Sequence, residues 1–394
     1  MSKQILETPY GTQDFLPKKA AFKRSIEQKI SELFRSYGYE EVVTPTIEYL
    51  ETLTMGSSRT LESHLFKMFD RSNKTLALHH EMTTPIARLV SSRMKDSPMP
   101  LKLSYITNVF RYEQTLPGRQ CEFYQAGVEL LGSSSACADA EAIALAVECI
   151  KSAGLNDFEL CLGQVDFASG IMEQNALSAE ARDYLKSAIE SHDIVALENK
   201  VDELSLSKTA AESLKKIPYL HGGREILEKA HTFALNERSR RALDNLSEIY
   251  RLLEVYGVAD KVVFDLGLIR DFSYYTGMVF EAYASELGYS IAGGGRYDHM
   301  LKDFGLACPA TGFALGIERL MLALKRQGIV EDHRTRDIYI GYDAASIKEA
   351  IEGAERLRSE GKVVELALSA QTEEEAKQSQ TDKHYNELIY LSAN

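Results

Sequence analysis

The stretch FRYEQTLPGRQCEFYQAGVELLG, residues 110–132, predicts two β-strands joined by a loop, because Pro117 and Gly118 at its centre favour a turn. Side chains alternate between the two faces of a strand, so every second residue of the second arm shares a face. That face carries Phe123, Gln125, Gly127 and Glu129. An amide, a carboxylate and a glycine together favour a floor that receives a small polar ligand with an ammonium group. The alternative, a solvent-facing side of an amphipathic hairpin, stays open on this stretch alone.

Two arginines in the same stretch add cationic groups to the hairpin. Arg111 follows the first arm and Arg119 precedes the second. A guanidinium group presents a planar fork of donors that fits a carboxylate or a phosphate. The hairpin therefore predicts a site for a ligand that carries both charges.

Composition places the chain among globular proteins. Its 394 residues are 44% hydrophobic and 26% charged, enough for two or three domains. The net charge of −13 argues against broad attraction to nucleic acid. The N-terminus has no apolar leader and no run of about 18 apolar residues follows, so we expect a cytoplasmic protein without a membrane span. Five cysteines without a C-x-x-C pair predict reduced thiols, and neither a metal nor a cofactor is expected.

The segments around the hairpin alternate between helix and strand patterns. Helical spacing predicts a helix over residues 21–37, and an alanine-rich helix is expected over 138–153. The segment EEVVTPTIEY reads as a strand containing Pro45, which would place it at a sheet edge or an interface. Residues 74–90 predict a strand, a turn and a helix that Thr83 or Thr84 caps.

The second half of the chain begins with a change in glycine content and in hydrophobic pattern. Residues 166–256 are nearly free of glycine and predict a helical insertion. Strand patterns then return in KVVFDLGLIRDFSYYTGMVFEAYA and GYSIAGGGRYDHML, which we expect to be antiparallel neighbours. ATGFALGIERLMLAL is expected to be a helix with Arg319 on its glycine face, which favours a bound anion over a buried ion pair. The tail from residue 337 predicts a small βαβαβ unit.

Two shorter motifs contain residues suited to ligand binding. The GGGRYD motif at 293–298 is neither a Walker A loop nor a dinucleotide fingerprint, so it predicts a close backbone approach beside a ligand. In IRDFSYYTGMVFE, Tyr274 and Tyr275 could line a ligand site, although tyrosines at the start of a strand are common. No catalytic triad or carboxylate pair can be argued from spacing, and no catalytic residue is assigned.

Taken in order, these motifs resemble histidyl-tRNA synthetase, a class II aminoacyl-tRNA synthetase, over roughly residues 8–330. The resemblance implies an α+β fold with an antiparallel sheet of six or seven strands flanked by helices. Residues 1–165 and 257–330 would form the core, 166–256 the helical insertion, and 335–394 a short C-terminal α/β domain. Dimerisation through the Pro45 region is also implied.

The resemblance further implies which residues form the amino-acid pocket. The histidine-binding set maps onto Glu81, Thr83, Arg111, Gln125, Glu129, Arg270, Tyr274 and Tyr275. Residual phosphate-binding residues map onto Arg111 and Arg319. Carboxylates and an amide suit an ammonium group, tyrosines can bond an imidazole, and arginines suit anions.

Departures from the synthetase pattern point to a paralogous family. Gln114 and Cys121 replace two loop arginines, Asp271 and Ser273 alter the segment before the tyrosine pair, and His79-His80 replaces Arg-Pro. The tail is also too short for a complete anticodon-binding domain. These features resemble the regulatory subunits of ATP phosphoribosyltransferase, which keep the synthetase fold and lose aminoacylation.

That family implies a non-catalytic chain. It would activate the short-form catalytic subunit of ATP phosphoribosyltransferase, the first enzyme of L-histidine biosynthesis, and would make it sensitive to histidine. The implied assembly is a hetero-octamer of four catalytic and four regulatory chains, the latter as homodimers. The inhibitory histidine site could instead lie at a subunit interface. An active histidyl-tRNA synthetase, or an enzyme that makes a free aminoacyl-adenylate, is the alternative, and histidine-dependent ATP–pyrophosphate exchange would distinguish these enzymes from a regulatory chain.

Overall fold

The computed structural model describes residues 6–55, 61–112, 120–234, 236–268, 274–329 and 336–393. The chain divides into two compact units. The first comprises Met1–Asp14 with Lys23–Val330, and the second comprises Phe15–Phe22 with Glu331–Asn394.

A mixed sheet is the centre of the first unit, and nine of its strands lie in the described residues. In spatial order these are β1 (Glu40–Glu41), β5 (Leu101–Phe110), β6 (Glu122–Leu131), β12 (Ala310–Gly316), β11 (Ala292–Arg296), β10 (Met278–Tyr283), β7 (Glu159–Gln164), β9 (Val262–Asp265) and β8 (His221–Gly222). The six strands from β5 to β7 are antiparallel. The predicted α+β class is confirmed, and β10 and β11 are antiparallel neighbours as expected. The sheet has more strands than the expected six or seven because β1 extends one end and β9 and β8 extend the other. β1 pairs with β5 in parallel, β9 pairs with β7 in parallel, and β8 pairs with β9 in antiparallel orientation.

The hairpin of β5 and β6 is the longest pairing in this sheet. Its register places Tyr105 opposite Gly127 and Leu103 opposite Glu129. The second half of β6 is buried on both faces, and a shift of the register by one residue would exchange its polar face with Gln125 and Glu129 for its apolar face. The expected turn at Pro117 and Gly118, and Arg119, lie outside the described residues.

Helices cover the sheet or follow one another between β7 and β9. They are α1 (Pro17–Ser36), α2 (Leu50–Leu53), α3 (Thr83–Leu89), α4 (Ala136–Ser152), α5 (Val165–Gln174), α6 (Ala179–Glu190), α7 (Ile194–Glu203), α8 (Lys208–Lys216), α9 (Glu225–His231), α10 (Glu237–Tyr256), α11 (Met300–Asp303) and α12 (Ile317–Arg326). The alanine-rich α4 packs against β12, and the Ser135 hydroxyl caps its first turn by accepting a hydrogen bond from the Ala138 amide. Because small side chains allow a close approach, most of α4 is buried.

Helices α5 to α10 occupy the region expected to be a helical insertion, and the short β8 within it joins the central sheet. This region lies in the same compact unit as the sheet. The domain boundaries at 165 and 257 therefore stay a prediction. No helix in the described part of the chain is long and apolar enough to cross a membrane.

The expectation of one helix over residues 310–324 was wrong for its first half. Ala310–Gly316 is β12, a central strand, and the helix α12 begins at Ile317. The helical spacing of Ile317, Leu320 and Leu324 belongs to α12 alone. The prediction extended this helix backwards over the residues that form β12. Arg319 therefore shares no helical face with Gly312.

The prediction of a strand through Pro45 was also wrong. Strand β1 ends at Glu41 and the next strand, β2 (Ile47–Tyr49), begins two residues after the proline. Proline has no amide hydrogen for a β-ladder, so the chain leaves one sheet before Pro45 and enters another after it.

That second sheet has three strands in the order β2, β4 (Thr75–Leu78) and β3 (Lys67–Phe69). Its inner face packs Ala77 against Leu53 and Leu65. Its outer face, which we call the apolar face of the small sheet, carries Ile47, Tyr49, Met68, Leu76 and Leu78. Ile47 is 46% exposed and Tyr49 is 48% exposed. A group of large apolar side chains left open to solvent is typical of an interaction surface.

The tail of the second unit has the predicted βαβαβ order. Its elements are β13 (Ile338–Tyr342), α13 (Ile347–Ser359), β14 (Val364–Leu366), α14 (Glu373–Asp382) and β15 (Glu387–Leu391). The strands are parallel in the order β14, β13, β15. A capping box between Thr372 and Glu375 begins α14 and satisfies backbone donors at its first turn.

Candidate functional site

A cleft on one face of the central sheet brings most of the predicted site residues together. Its empty space is about 440 Å³, including the part open to solvent. Seven of the eight predicted histidine-binding residues line it: Glu81, Thr83, Arg111, Gln125, Glu129, Tyr274 and Tyr275. The eighth, Arg270, lies outside the described residues, as do Gln114, Asp271 and Ser273.

Glu129 lies at the centre of the cleft floor and is 2% exposed. One of its carboxylate oxygens accepts a hydrogen bond of 2.8 Å from the Thr83 hydroxyl, and the other accepts a hydrogen bond from the Tyr297 hydroxyl. Burial raises the pKa of Glu129 to about 8, although the hydrogen bonds from Tyr297 and Thr83 act in the opposite direction. A buried carboxyl group of this kind has a strong electrostatic preference for a cationic partner.

Glu81 holds the start of α3 beside Glu129. Its two carboxylate oxygens accept hydrogen bonds of 2.9 Å and 2.8 Å from the backbone amides of Thr83 and Thr84. Burial works against the charged form, but His80 and the hydrogen bonds from Thr84 and Thr83 outweigh it, so the pKa of Glu81 lies below its ordinary value. The expected cap by a threonine side chain was wrong, because Glu81 satisfies the first amides of the helix.

Gln125 presents an unsatisfied acceptor to the cleft. It lies four residues before Glu129 on the same face of β6, and it is 9% exposed. Its side-chain oxygen is buried and has no hydrogen-bond partner within the described residues. Because a buried acceptor without a donor is costly, this oxygen indicates a ligand group that donates a hydrogen bond.

Three tyrosines form one wall. The ring centroids of Tyr274 and Tyr275 lie 4.8 Å apart, and those of Tyr274 and Tyr297 lie 5.9 Å apart. Tyr274 and Tyr275 pack on the buried apolar cluster that contains Tyr297. The wall combines planar apolar surface with hydroxyl groups, a combination that can hold a small aromatic ring.

The glycines of the floor make space for side chains of the pocket. A Cβ atom on Gly127 would lie within 3.0 Å of the Tyr105 hydroxyl, and one on Gly295 within 3.0 Å of the Tyr275 ring. A Cβ atom on Gly312 would come equally close to the Glu129 carboxylate. Side chains of the pocket therefore cross the sheet where glycine leaves space. Gly293 and Gly295 also line the cleft, and their close approach to a ligand stays a prediction.

Arg111 closes one end of the cleft. Its Nε donates a 3.1 Å hydrogen bond to the His80 carbonyl, and its guanidinium group lies 5.2 Å from the centre of the Phe123 ring. Burial lowers the pKa of the neighbouring His80, although the Glu81 carboxylate acts in the opposite direction. The arginine is thus placed to pair with an anionic group of a ligand.

Arg319 does not line the cleft. Its guanidinium group donates a 2.7 Å hydrogen bond to the Ser290 carbonyl and lies 5.0 Å from the centre of the Tyr289 ring. Its phosphate-binding role stays a prediction. Cys121, at the position of a second expected loop arginine, is buried and donates its backbone amide to the Gly11 carbonyl over 2.8 Å.

Tyr105 and Tyr297 are pocket residues that the sequence analysis missed. Tyr297 belongs to the GGGRYD motif, whose interpretation rested on its glycines and not on its tyrosine. Tyr105 lies directly opposite Gly127 in the hairpin register, a relationship visible only once the register is known.

A second, largely polar cleft lies near the end of β7. Its lining includes Arg238, Arg241 and Arg296. Arg238 pairs with Asp166 and Glu173, Arg241 with Glu237, and Arg296 with Asp139 and Asp298. Because these guanidinium groups already have carboxylate partners, the first cleft is the stronger candidate site.

Comparison with known proteins agrees with this geometry. The family model described as histidyl-tRNA synthetase matches residues 11–320. The crystal structure of histidyl-tRNA synthetase from Nostoc sp. PCC 7120 has a TM-score of 0.84 over 98% of this chain and 92% of that chain, at 20% identity, and it supports the fold alone. The fold and the cleft therefore define a class II aminoacyl-tRNA synthetase-like protein.

Closer relatives specify the family. The ATP phosphoribosyltransferase regulatory subunit of Moorella thermoacetica is 44% identical over 94% of this chain and 94% of its own length. A structure titled as an ATP phosphoribosyltransferase regulatory subunit/histidyl-tRNA synthetase from Bacillus halodurans C is 35% identical, with a TM-score of 0.89 and 99% coverage of both chains. The chain belongs to the family of ATP phosphoribosyltransferase regulatory subunits, as the sequence motifs predicted. The curated relatives are named as regulatory subunits of ATP phosphoribosyltransferase.

Proposed function

We propose that this chain is the regulatory subunit of a short-form ATP phosphoribosyltransferase and controls the first step of histidine biosynthesis. It activates the catalytic subunit and transmits feedback inhibition by histidine. The observation that carries the proposal is the cleft, which offers carboxyl groups, an unsatisfied amide oxygen, an arginine and a wall of tyrosines within one small volume. The names of the relatives support the partner.

Each part of histidine has a complementary group in this cleft. The ammonium group can donate to Glu129 and to the Gln125 oxygen, and the carboxylate can pair with Arg111. The imidazole can lie against Tyr274 and Tyr275 and bond to a hydroxyl group. The allosteric effect requires that histidine bind two states of the complex with unequal affinity.

The experiment that tests this function is an assay of the short catalytic subunit with and without the chain, across a histidine titration. We expect the chain to raise the activity and histidine to suppress it. Activity that is unchanged by the chain would refute the proposed role. Activation without any effect of histidine would leave an activator and would remove the feedback function.

Glu129→Ala and Tyr275→Ala are each expected to weaken histidine binding by about 10–100-fold, since each removes a charged or aromatic contact. Assembly with the catalytic subunit should persist, because both side chains are inside the cleft. Calorimetric titration measures the affinity, and Tyr184→Ala, at a tyrosine that is 48% exposed on α6, is the matched control. An unchanged titration in both variants would place the inhibitory site elsewhere, such as a subunit interface.

The proposed assembly contains regulatory dimers within a hetero-octamer of four chains of each kind. The apolar face of the small sheet supports self-association, because a two-fold contact would bury the same residues on both copies. This surface takes the place of the Pro45 strand in the predicted interface, since Pro45 lies just before β2.

Ile47→Lys is expected to weaken self-association by about 100-fold, because it would bury an unpaired charge at the contact. Sedimentation over a range of concentrations measures the change. Val195→Lys, at an apolar residue that is 69% exposed on α7, controls for added charge. A dimer of wild-type strength in the Ile47→Lys variant would exclude this face as the interface.

A further inference from the structure

The two clefts share two segments of the chain. In the first segment, residues 274–275 line the first cleft and residues 276–277 line the second. In the other segment, residues 295–298, the odd-numbered residues line the first cleft and the even-numbered residues line the second. This alternation is that of a strand, whose successive residues face opposite sides. The two clefts therefore border the same pair of segments from different sides.

Hydrogen bonds on the side of the second cleft hold the two segments together. The Thr276 amide donates a 2.8 Å hydrogen bond to the Arg296 carbonyl. The Thr276 hydroxyl accepts a 3.0 Å hydrogen bond from the Asp298 amide, and it lies 3.4 Å from the Arg296 carbonyl oxygen. One side chain of the first segment thus reaches the backbone on both sides of Tyr297.

A buried ion pair anchors the second segment. The Arg296 guanidinium group approaches the Asp139 carboxylate of α4 to 2.8 Å and donates a 3.0 Å hydrogen bond to the Asp298 carboxylate. The same Asp298 oxygen accepts a 3.0 Å hydrogen bond from the Ala310 amide at the start of β12. The residue that donates to the Thr276 hydroxyl is therefore tied to α4 and to β12.

On the side of the first cleft, the same segments carry the wall of three tyrosines. The Tyr275 ring packs over Gly295, where a Cβ atom would lie within 3.0 Å of the ring. Tyr297 donates a hydrogen bond to Glu129. The Tyr274 ring contacts both other rings, at centroid distances of 4.8 Å and 5.9 Å. Because the rings come from both segments, their spacing depends on how the segments are held together.

We propose that Thr276 is a positioning residue for this wall: from the second cleft, its hydroxyl group sets the placement of Tyr275 relative to Tyr297 in the first. The inference rests on the proposed function and adds to it a determinant of imidazole recognition that does not line the ligand cleft. The second cleft then has a role as the polar support of the first, which agrees with the internal pairing of its charged groups.

Thr276→Val keeps the branched shape of the side chain, removes the hydroxyl group and leaves the Asp298 amide without its acceptor. We expect calorimetric titration to show about a tenfold loss of histidine affinity. Thr276→Ser restores the hydroxyl group and should restore the affinity. Thr232→Val is the matched control, because that exposed hydroxyl donates only to the Lys229 carbonyl, over 2.7 Å. Wild-type affinity in Thr276→Val would overturn the inference and leave the proposed function intact.

A double-mutant cycle separates positioning from a general loss of stability. If Thr276 acts through the ring of Tyr275, Thr276→Val should cause no further loss of histidine affinity in a Tyr275→Ala background. Urea unfolding of the same proteins reports stability separately. Equal losses of affinity in both backgrounds would show that Thr276 does not act through the wall, and would contradict the inference.

Hydrogen exchange of the ligand-free chain provides a test that does not depend on histidine. In Thr276→Val we expect faster exchange at the Asp298 amide and also at the Tyr297 amide, which donates a 2.8 Å hydrogen bond to the Ala310 carbonyl. Faster exchange at Asp298 alone would confine the effect to the second cleft and overturn the inference. A wild-type chain that does not bind histidine would refute the proposed function, and this measurement would still decide the role of Thr276.

Two further measurements guard against a variant that does not fold. Thr276→Ala also lacks the hydroxyl group and replaces Thr276→Val in each experiment if the valine protein is unfolded. In the wild-type chain, histidine in the first cleft should slow exchange of the Asp298 amide, although Asp298 lines the second cleft. Exchange at Asp298 that histidine leaves unchanged, while histidine binds, would contradict the inference.

Discussion

Gly312→Ala is expected to abolish measurable histidine binding and to destabilise the first unit by about 3 kcal/mol or more, at the upper end of overpacking effects. A Cβ atom at this position would lie within 3.0 Å of both the Val128 carbonyl and the Glu129 carboxylate. Neither atom can move freely, because one belongs to the pairing of β6 with β12 and the other is held by Thr83 and Tyr297.

The measurements for this variant are the urea unfolding midpoint and a histidine titration. Gly288→Ala is the matched control, because a Cβ atom there meets nothing within 4 Å. We expect the control to behave as the wild type. A Gly312→Ala protein that binds histidine normally would mean that the carboxylate does not need its position against the floor.

Arg296→Met is expected to lower the free energy of unfolding by about 3–5 kcal/mol, the usual result of breaking a buried ion pair. Arg296 is 7% exposed and Asp139 is 1% exposed, and their charged groups approach to 2.8 Å. The same guanidinium group donates 3.0 Å hydrogen bonds to Asp298 and to the Ser133 carbonyl. Methionine would leave Asp139 buried without its cation.

Chemical denaturation measures this loss, with Arg241→Met as the control. Arg241 pairs with Glu237 at the surface, where both side chains are more than 75% exposed, so its replacement should have no measurable effect. The double variant Arg296→Met with Asp139→Leu should recover much of the stability, because an apolar pair of similar volume removes the unpaired charge. Equal stability of Arg296→Met and the wild type would contradict the ion pair's structural role.

The hairpin illustrates what sequence reasoning can predict. Alternation along 122–131 identified the face with Gln125 and Glu129, and the family motifs identified the pocket residues from other segments. The first of these predictions depends on a local pattern, and the second depends on long motifs in a fixed order. The cleft then brings seven of these predicted residues together.

Relations between distant segments could not be predicted in this way. The strand β12 has a mixed small and apolar sequence that continues directly into an amphipathic helix, so its period could not be separated from that of α12. Glycine roles also depend on neighbours: Gly127, Gly295 and Gly312 each make space for a side chain from another strand or loop. Their partners become known only from strand order and register.

The capping of α3 shows a competition between two local signals. Thr83 and Thr84 are good cap residues by type, but the Glu81 carboxylate reaches the same amides from outside the helix. The Thr83 hydroxyl is then available to Glu129, 46 residues further along the chain. A helix-capping rule that considers the helix alone assigns this hydroxyl to the wrong partner.

The cleft is assembled from segments between Glu81 and Ala314, so it exists only after strands far apart in sequence have paired. Pairings of this kind have a high contact order and form late and slowly during folding. A ligand held in the cleft binds the completed unit and not its partly folded forms, and it therefore adds a free energy of RT ln(1 + [L]/Kd) to the stability of the whole unit. Histidine would then act on the lifetime of the chain as well as on its activity: a cell rich in histidine would protect the first unit from proteolysis, while the local βαβαβ tail would not gain directly from the ligand.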